Sequence, residues 1–207
     1  MLNIAVLGSG RGSNFQAILA AMEKGKIPGA RIVLVISNNT DAGILEIARN
    51  HGIPALPISE KQFAGEEEFV SNLLRVLFEH GVNFIVLAGY MKRLHPRVIQ
   101  SYRNAIINIH PALLPKYGGE GMYGMHVHAA VIAAGEKVSG ATVHIVDEEY
   151  DHGPIVLQKQ VPVDPGDTAQ TLAARVLRVE HEIYPEAIRL FAGGRVTVHE
   201  REVAVQY

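Results

Sequence analysis

No cysteine occurs in the 207 residues. Disulfides, thiolate nucleophiles and Cys-bound zinc are therefore excluded, and nothing opposes a reducing, intracellular setting. Neither sign of charge dominates. The 19 Lys and Arg against 21 Asp and Glu give a net charge of −2, and the basic residues are scattered, whereas a nucleic-acid-binding surface shows them clustered. No apolar run approaches the roughly 20 residues that span a bilayer. The opening "MLNIAVLGSGRGS" has no basic leader and runs straight into a glycine-rich turn, unlike a signal peptide; the expected location is cytoplasmic. What is present is an ordinary globular composition, 48% hydrophobic and 19% charged, in a chain long enough for one well-cored domain or two small ones.

Short apolar runs alternate with segments of helical period. "NIAVLG" is followed by Phe15, Ile18, Leu19 and Met22 at spacings of three, four and seven, a strand and then an amphipathic helix. The alternation continues through "RIVLVIS", "GILEIARNHG", "PALPI", a helix carrying Phe69, Leu73, Val76 and Leu77, and "FIVLAG". Continuous apolar strands are buried on both faces, so the expected fold is α/β: a doubly wound, mostly parallel, Rossmann-like sheet with helices on both faces. "PALLPKYGGEGMYGMHV" carries two prolines and four glycines and reads as a functional loop, followed by a short helix over 127–134. "GATVHIV" and "GPIVLQKQVPV" read as adjacent strands joined through an Asp-His-Gly-Pro turn. Asp167 and Gln170 form the expected capping pair of a helix with Leu172, Val176, Val179 and Ile183 on one stripe, with a kink expected at Pro185. The tail "GGRVTVHEREVAVQY" reads as a final strand pair.

"GSGRGSN" lies between the first strand and the first helix, where backbone N–H groups and the helix dipole attract an anion. The dinucleotide fingerprint needs a third glycine where Ser13 stands. The second strand, moreover, ends in Ser37, Asn38 and Asn39 instead of an acid for a ribose. A Walker loop is excluded because no Lys-Ser or Lys-Thr pair follows the glycines. The remaining reading is a single phosphate cradled by Gly12, Ser13 and Asn14 with Arg11 close by; a tight turn in which Ser13 and Asn14 merely cap the helix is the alternative.

In "IINIHP" the period of two puts Asn108 and His110 on one face and Ile107 and Ile109 on the other. A buried polar pair satisfied inside the core is one reading. The other follows from their place at the carboxyl end of a strand, where open α/β sheets bind ligands. With no Ser or Cys nucleophile beside them, they suit an acyl transfer in which the substrate supplies the nucleophile: the amide donates to an oxyanion, and an imidazolium donates or passes a proton. A carboxylate would favour the charged imidazole. Asp151 is the best placed for that, with Glu148 and Glu149 competing and a plain turn residue as the alternative. His126 and His128 in "HVH" are two apart, a spacing that splays them on a helix, and no metal signature appears. No metal is expected.

These stretches together, "GSGRGSN", "ISNN", "VLAGYMKRL", "IINIHPALLPKY", "GATVHIVDEEYDHGPIVLQ" and "EHEIYP", make the chain similar to the folate-dependent formyltransferases, and among them to the phosphoribosylglycinamide formyltransferases of purine biosynthesis. The most specific part is Asn-x-His-Pro-x-Leu-Leu-Pro with the later Asp-x-Gly-Pro. The resemblance implies catalytic roles for Asn108, His110 and Asp151, and substrate phosphate binding by Gly12, Ser13 and Asn14, helped by Glu180. It implies 10-formyltetrahydrofolate as co-substrate along Met91, Lys92, Arg93 and Leu94, and against Asp147, Glu148, Glu149, Tyr150 and Asp151 near Asn108 and His144. It also implies a cis Leu114–Pro115 bond and one formyltransferase domain over 1–207. In that domain about 1–103 would bind the nucleotide phosphate, and about 104–207 would bind folate and catalyse. The expected partners are small molecules, neither nucleic acid nor membrane, with a homodimer left open. The chain departs from the family pattern at Gly65-Glu66-Glu67-Glu68, where better-known members carry an Arg for the folate carboxylate, and in the longer loop "YGGEGMYGMHVH". A formyltetrahydrofolate hydrolase and a non-catalytic nucleotide-binding domain are the rival readings; the intact phosphate loop argues against the first, the polar triad against the second.

Overall fold

The computed structural model describes residues 1–206; Tyr207, the end of the expected terminal strand pair, lies outside them. The chain divides into two compact units, Met1–Ile107 and Asn108–Tyr207, the division falling inside a strand.

The first unit contains β1 (Leu2–Leu7), α1 (Ser13–Glu23), β2 (Ala30–Ser37), α2 (Gly43–Asn50), β3 (Ala55–Pro57), α3 (Glu66–Glu79), β4 (Phe84–Leu87) and α4 (Pro96–Ser101). Parallel pairing joins β1 to β2 and β4, and β2 to β3. Ile4 through Leu7 and all of β4 are buried, as strands in a covered parallel sheet must be. The helices bury most of the stripes that their spacing announces: Phe15, Ile18 and Leu19 on α1, where Met22 is only half-buried, and Leu73, Val76 and Leu77 on α3, where Val70 is buried and Phe69 only half-buried. Each such side chain contributes roughly 1.5–3 kcal/mol on leaving water. Helix α4 has no sequence-level counterpart. It is only six residues long, too short to show a period, and is started by Pro96 at its first turn and by the His95 ring, which accepts from Arg97 N–H at 3.1 Å.

β5 (Ile106–His110) carries the division; beyond it come α5 (Met125–Ala133), β6 (Val138–Ile145), β7 (Ile155–Pro162), α6 (Ala169–Ala192), β8 (Val196–His199) and β9 (Glu202–Val205). The sheet order is β3-β2-β1-β4-β5-β6-β7, mostly parallel, with β8 and β9 as a separate pair. β7 runs antiparallel to β6, and their register slips between Val143 and His144. α6 continues through Pro185 as one element and buries Leu172, Val176, Val179 and Ile183. Its cap corrects the expectation of Asp167 with Gln170. Thr168 is the N-cap, and its hydroxyl and that of Thr171 satisfy each other's backbone N–H. Asp167 is drawn away by the Arg175 guanidinium and the Thr171 hydroxyl, which hold its carboxyl well below the usual carboxylate range.

Candidate active site

In the first unit the glycine loop is braced by both neighbouring strand ends. Asn39 donates to the Ser9 carbonyl at 2.7 Å, Ser9 N–H donates to Gly89 O at 2.9 Å, and Ser9 Oγ accepts from Met91 N–H at 2.8 Å while donating to Asn38. Gly12 is the N-cap of α1 at φ 83, with no side-chain cap bond. A Cβ there would sit 3.0 Å from Ile44 Cα, so only glycine combines that left-handed backbone with that approach. Ser13 opens the helix instead of capping it, and Asn14 is buried. No side chain caps the first turn of α1, and the N–H groups of a helix start favour an anion. Arg11 is exposed beside it. Met91, Lys92 and Arg93 follow β4 at the surface and Leu94 is buried.

The second unit assembles the polar cluster. Asn108 and His110 share one face of β5, and His144 comes from the neighbouring β6 beside the register slip, where Val156 of β7 is the extra residue. His144 Nδ1 meets its own strand's Ile145 carbonyl at 2.9 Å, so it carries the proton, leaving Nε2 to accept from Asn108 Nδ2 at 3.1 Å. The Asn108 amide keeps a second N–H. His110 Nε2 donates to the Tyr117 carbonyl at 2.7 Å, and its Nδ1 lies 3.4 Å from Asp151 Oδ2. The other carboxylate oxygen is 3.5 Å from His144 Nε2, and Gly119 N–H donates to Asp151 Oδ2 at 3.0 Å.

Burial pulls the His110 pKa below its ordinary value, although the Asp151 carboxylate and the Tyr117 carbonyl push it up. The expected effect of the carboxylate is therefore present but outweighed, because His110 is 3% exposed. Both ring nitrogens nevertheless face acceptors, so it is the protonated ring whose hydrogens are all satisfied. Burial alone would raise the Asp151 carboxyl; the neighbouring His144 and His110 rings and the Gly119 N–H together outweigh it and hold the group low.

Asp151 meets His110 and His144, whereas Glu149 pairs with His152 at 3.1 Å and Glu148 is half-buried. Asp151 sits at φ 56, a left-handed backbone uncommon for a residue with a Cβ. Nearby, Gly153 is required by space, since a Cβ would come 1.7 Å from Ile145 O. The Leu114–Pro115 bond is cis. Tyr150 is exposed, Asp147 lies in the loop after β6, and Glu180 is buried on α6.

His128 is the residue that the sequence reading set aside. It is 4% exposed on α5, its Nδ1 has no hydrogen-bond partner, and burial first and then the His110 charge lower its pKa. Its signal was the helical period that turns it inward while His126 faces solvent against the Tyr123 ring. Among the described residues no group of three or more His, Asp or Glu is arranged to hold a metal ion.

Comparison with known proteins adds four findings. The family model described as formyl transferase matches residues 2–188. A chloroplastic phosphoribosylglycinamide formyltransferase from Vigna unguiculata is 44% identical over 193 residues, covering 93% of this chain and 62% of the relative; the chain thus spans less than two thirds of that relative's length. Among solved structures, glycinamide ribonucleotide transformylase 1 from Symbiobacterium toebii superposes with a TM-score of 0.93 at 42% identity, covering 100% of this chain and 95% of that one. A formyltetrahydrofolate deformylase from Pseudomonas syringae pv. tomato gives a TM-score of 0.87 at 26% identity, over 100% of this chain and 67% of that one.

Proposed function

The chain belongs to the formyl transferase family, and from that premise we propose that it moves the formyl group of 10-formyltetrahydrofolate onto the primary amine of N1-(5-phospho-D-ribosyl)glycinamide, a step of purine biosynthesis. The observation that carries the reading is the buried cluster of Asn108, His110, His144 and Asp151, which holds amide, imidazole and carboxylate with no protein nucleophile among them. Such a set has a use only if the substrate brings its own nucleophile. The open first turn of α1 supplies a place for the phosphate of that substrate.

The amine lone pair attacks the formyl carbon and the carbonyl oxygen becomes an oxyanion. The unused Asn108 N–H donates to it. His110 holds in transit the proton that the amine nitrogen sheds, Asp151 and the Tyr117 carbonyl accepting from its two N–H groups until that proton passes to N10; direct donation of Nε2–H to the oxyanion requires giving up the Tyr117 carbonyl. Collapse breaks the bond from the formyl carbon to N10 of the folate; the amine nitrogen loses one proton and N10 gains one, with Asp151, ionised at neutral pH, placed to relay it. Lys61 is the base nearest in sequence to the Glu66–Glu68 run, while in the fold Arg97 pairs with Glu67; we assign neither a folate contact. A cytoplasmic location accompanies this reading.

The likeness to a deformylase favours one rival, attack by water at the same cluster. Incubation with 10-formyltetrahydrofolate, with and without the ribonucleotide, separates them. The proposal expects folate deformylation only when the ribonucleotide is present; turnover at the same rate without it establishes the hydrolase.

A further inference from the structure

Asp151 holds an uncommon backbone, and such residues persist only where the surroundings fix them. Its own loop does part of this: Asp147 Oδ1 accepts from Glu149 N–H at 3.0 Å. The remainder comes from a distant part of the same unit. Arg201 lies in the turn between β8 and β9, and β9 packs on β7, the strand that continues from this loop. Arg201 Nη2 donates to the carbonyl of His152, the residue after Asp151, at 2.6 Å, and Nη1 stands 3.1 Å from Asp147 Oδ2. That oxygen is buried and receives no hydrogen bond, so the guanidinium opposite supplies the charge that a desolvated carboxylate needs. One planar fork thereby grips both ends of the segment 147–152, a geometry for which Arg is suited and Lys is not.

We propose that Arg201, in the turn of the terminal hairpin, is a positioning residue that fixes the segment 147–152 and through it the carboxylate of Asp151 against His110 and His144. The role rests on the formyl-transfer reading for its effect on rate, but not for its effect on His110. Arg201 itself touches no reacting atom. Its side chain is 65% exposed, so its removal leaves the core of the unit intact and the variant folded.

The test compares wild type, Arg201→Ala and Arg201→Lys by steady-state formyl transfer, by thermal melting and by NMR titration of the His110 ring. The expected result for Arg201→Ala is a fall in kcat of about two- to fivefold, the range for a solvent-facing ion pair, with the ribonucleotide KM little changed and the melting temperature somewhat lowered, because Asp147 Oδ2 loses its counter-charge. The His110 titration moves toward acid because the carboxylate is less firmly held beside it. Lysine, which keeps the charge but grips one acceptor, falls between the two. A His110 titration identical in wild type and Arg201→Ala overturns the proposal, whatever the rate does, and makes the hairpin a cover over the loop. If wild type transfers no formyl group, the functional reading fails, yet the titration still decides the role of Arg201.

Discussion

Replacing Asn108 by alanine separates catalysis from stability. In the folded protein the Asn108 amide gives one N–H to His144 Nε2 at 3.1 Å and has a second for the oxyanion. Loss of one oxyanion donor lowers kcat by about 10²–10³, or roughly 2.7–4 kcal/mol of transition-state stabilisation. The same substitution leaves the His144 Nε2 without its amide donor, and His144 is 2% exposed; an unpaired buried acceptor costs about 1–3 kcal/mol of stability. A domain of ordinary stability, about 5–15 kcal/mol, remains folded after that loss. Steady-state rates at saturating substrates should therefore drop by the full factor. Equilibrium binding of the folate should change much less, since the interaction forms only as the oxygen becomes charged. An unchanged kcat with a raised KM would refute the oxyanion role. A variant unable to fold would make Asn108 a structural core group.

Four further outcomes are expected. Ser13→Ala or Asn14→Ala should chiefly raise the KM for the ribonucleotide, by about 1.5–3 kcal/mol for a lost hydrogen bond to a charged group; a change confined to the folate KM would move the phosphate elsewhere. Asp151→Asn should lower the His110 pKa further, because the carboxylate now pushes it up, and should draw toward acid the low-pH limb of the rate profile, which reports the neutral ring that accepts a proton; equal His110 titrations by NMR in the two proteins would remove the pairing. His110 and His128 both have pKa values lowered mainly by burial, so between their folded values and the ordinary 6.5 the unfolded chain binds more protons than the folded one. Stability should accordingly fall as pH drops below about 6.5, and urea midpoints identical at pH 7.5 and 5.5 would contradict this. Gly153→Ala must displace Ile145 O, which a Cβ would meet at 1.7 Å; it should lose most activity with the phosphate loop unaffected, and a fully active variant would show that the loop tolerates the shift.

The parts of this molecule legible in its sequence are those set by short-range periodicity. A period of two places Asn108 and His110 on one face, and spacings of three and four find the buried stripes of α1, α3 and α6. Signals that depend on competition between neighbours are less legible. Asp167 looks like a cap until Arg175, two turns away, claims its carboxylate and leaves the cap to Thr168. Pairings across strands are not legible at all: the bond from Asn108 to His144 and the approach of Asp151 to both histidines depend on strand order and on the register slip at His144. The balance of forces on His110 was hidden for a related reason, since its carboxylate can be guessed from a turn but the depth of burial that outweighs it cannot.

The central claim is that the formyl carbon passes directly to an amine. With the formyl carbon of 10-formyltetrahydrofolate labelled with ¹³C, NMR of a reaction containing the ribonucleotide should show the label appearing as a formamide on the nucleotide in step with its loss from the folate. Label appearing as free formate instead would contradict the account.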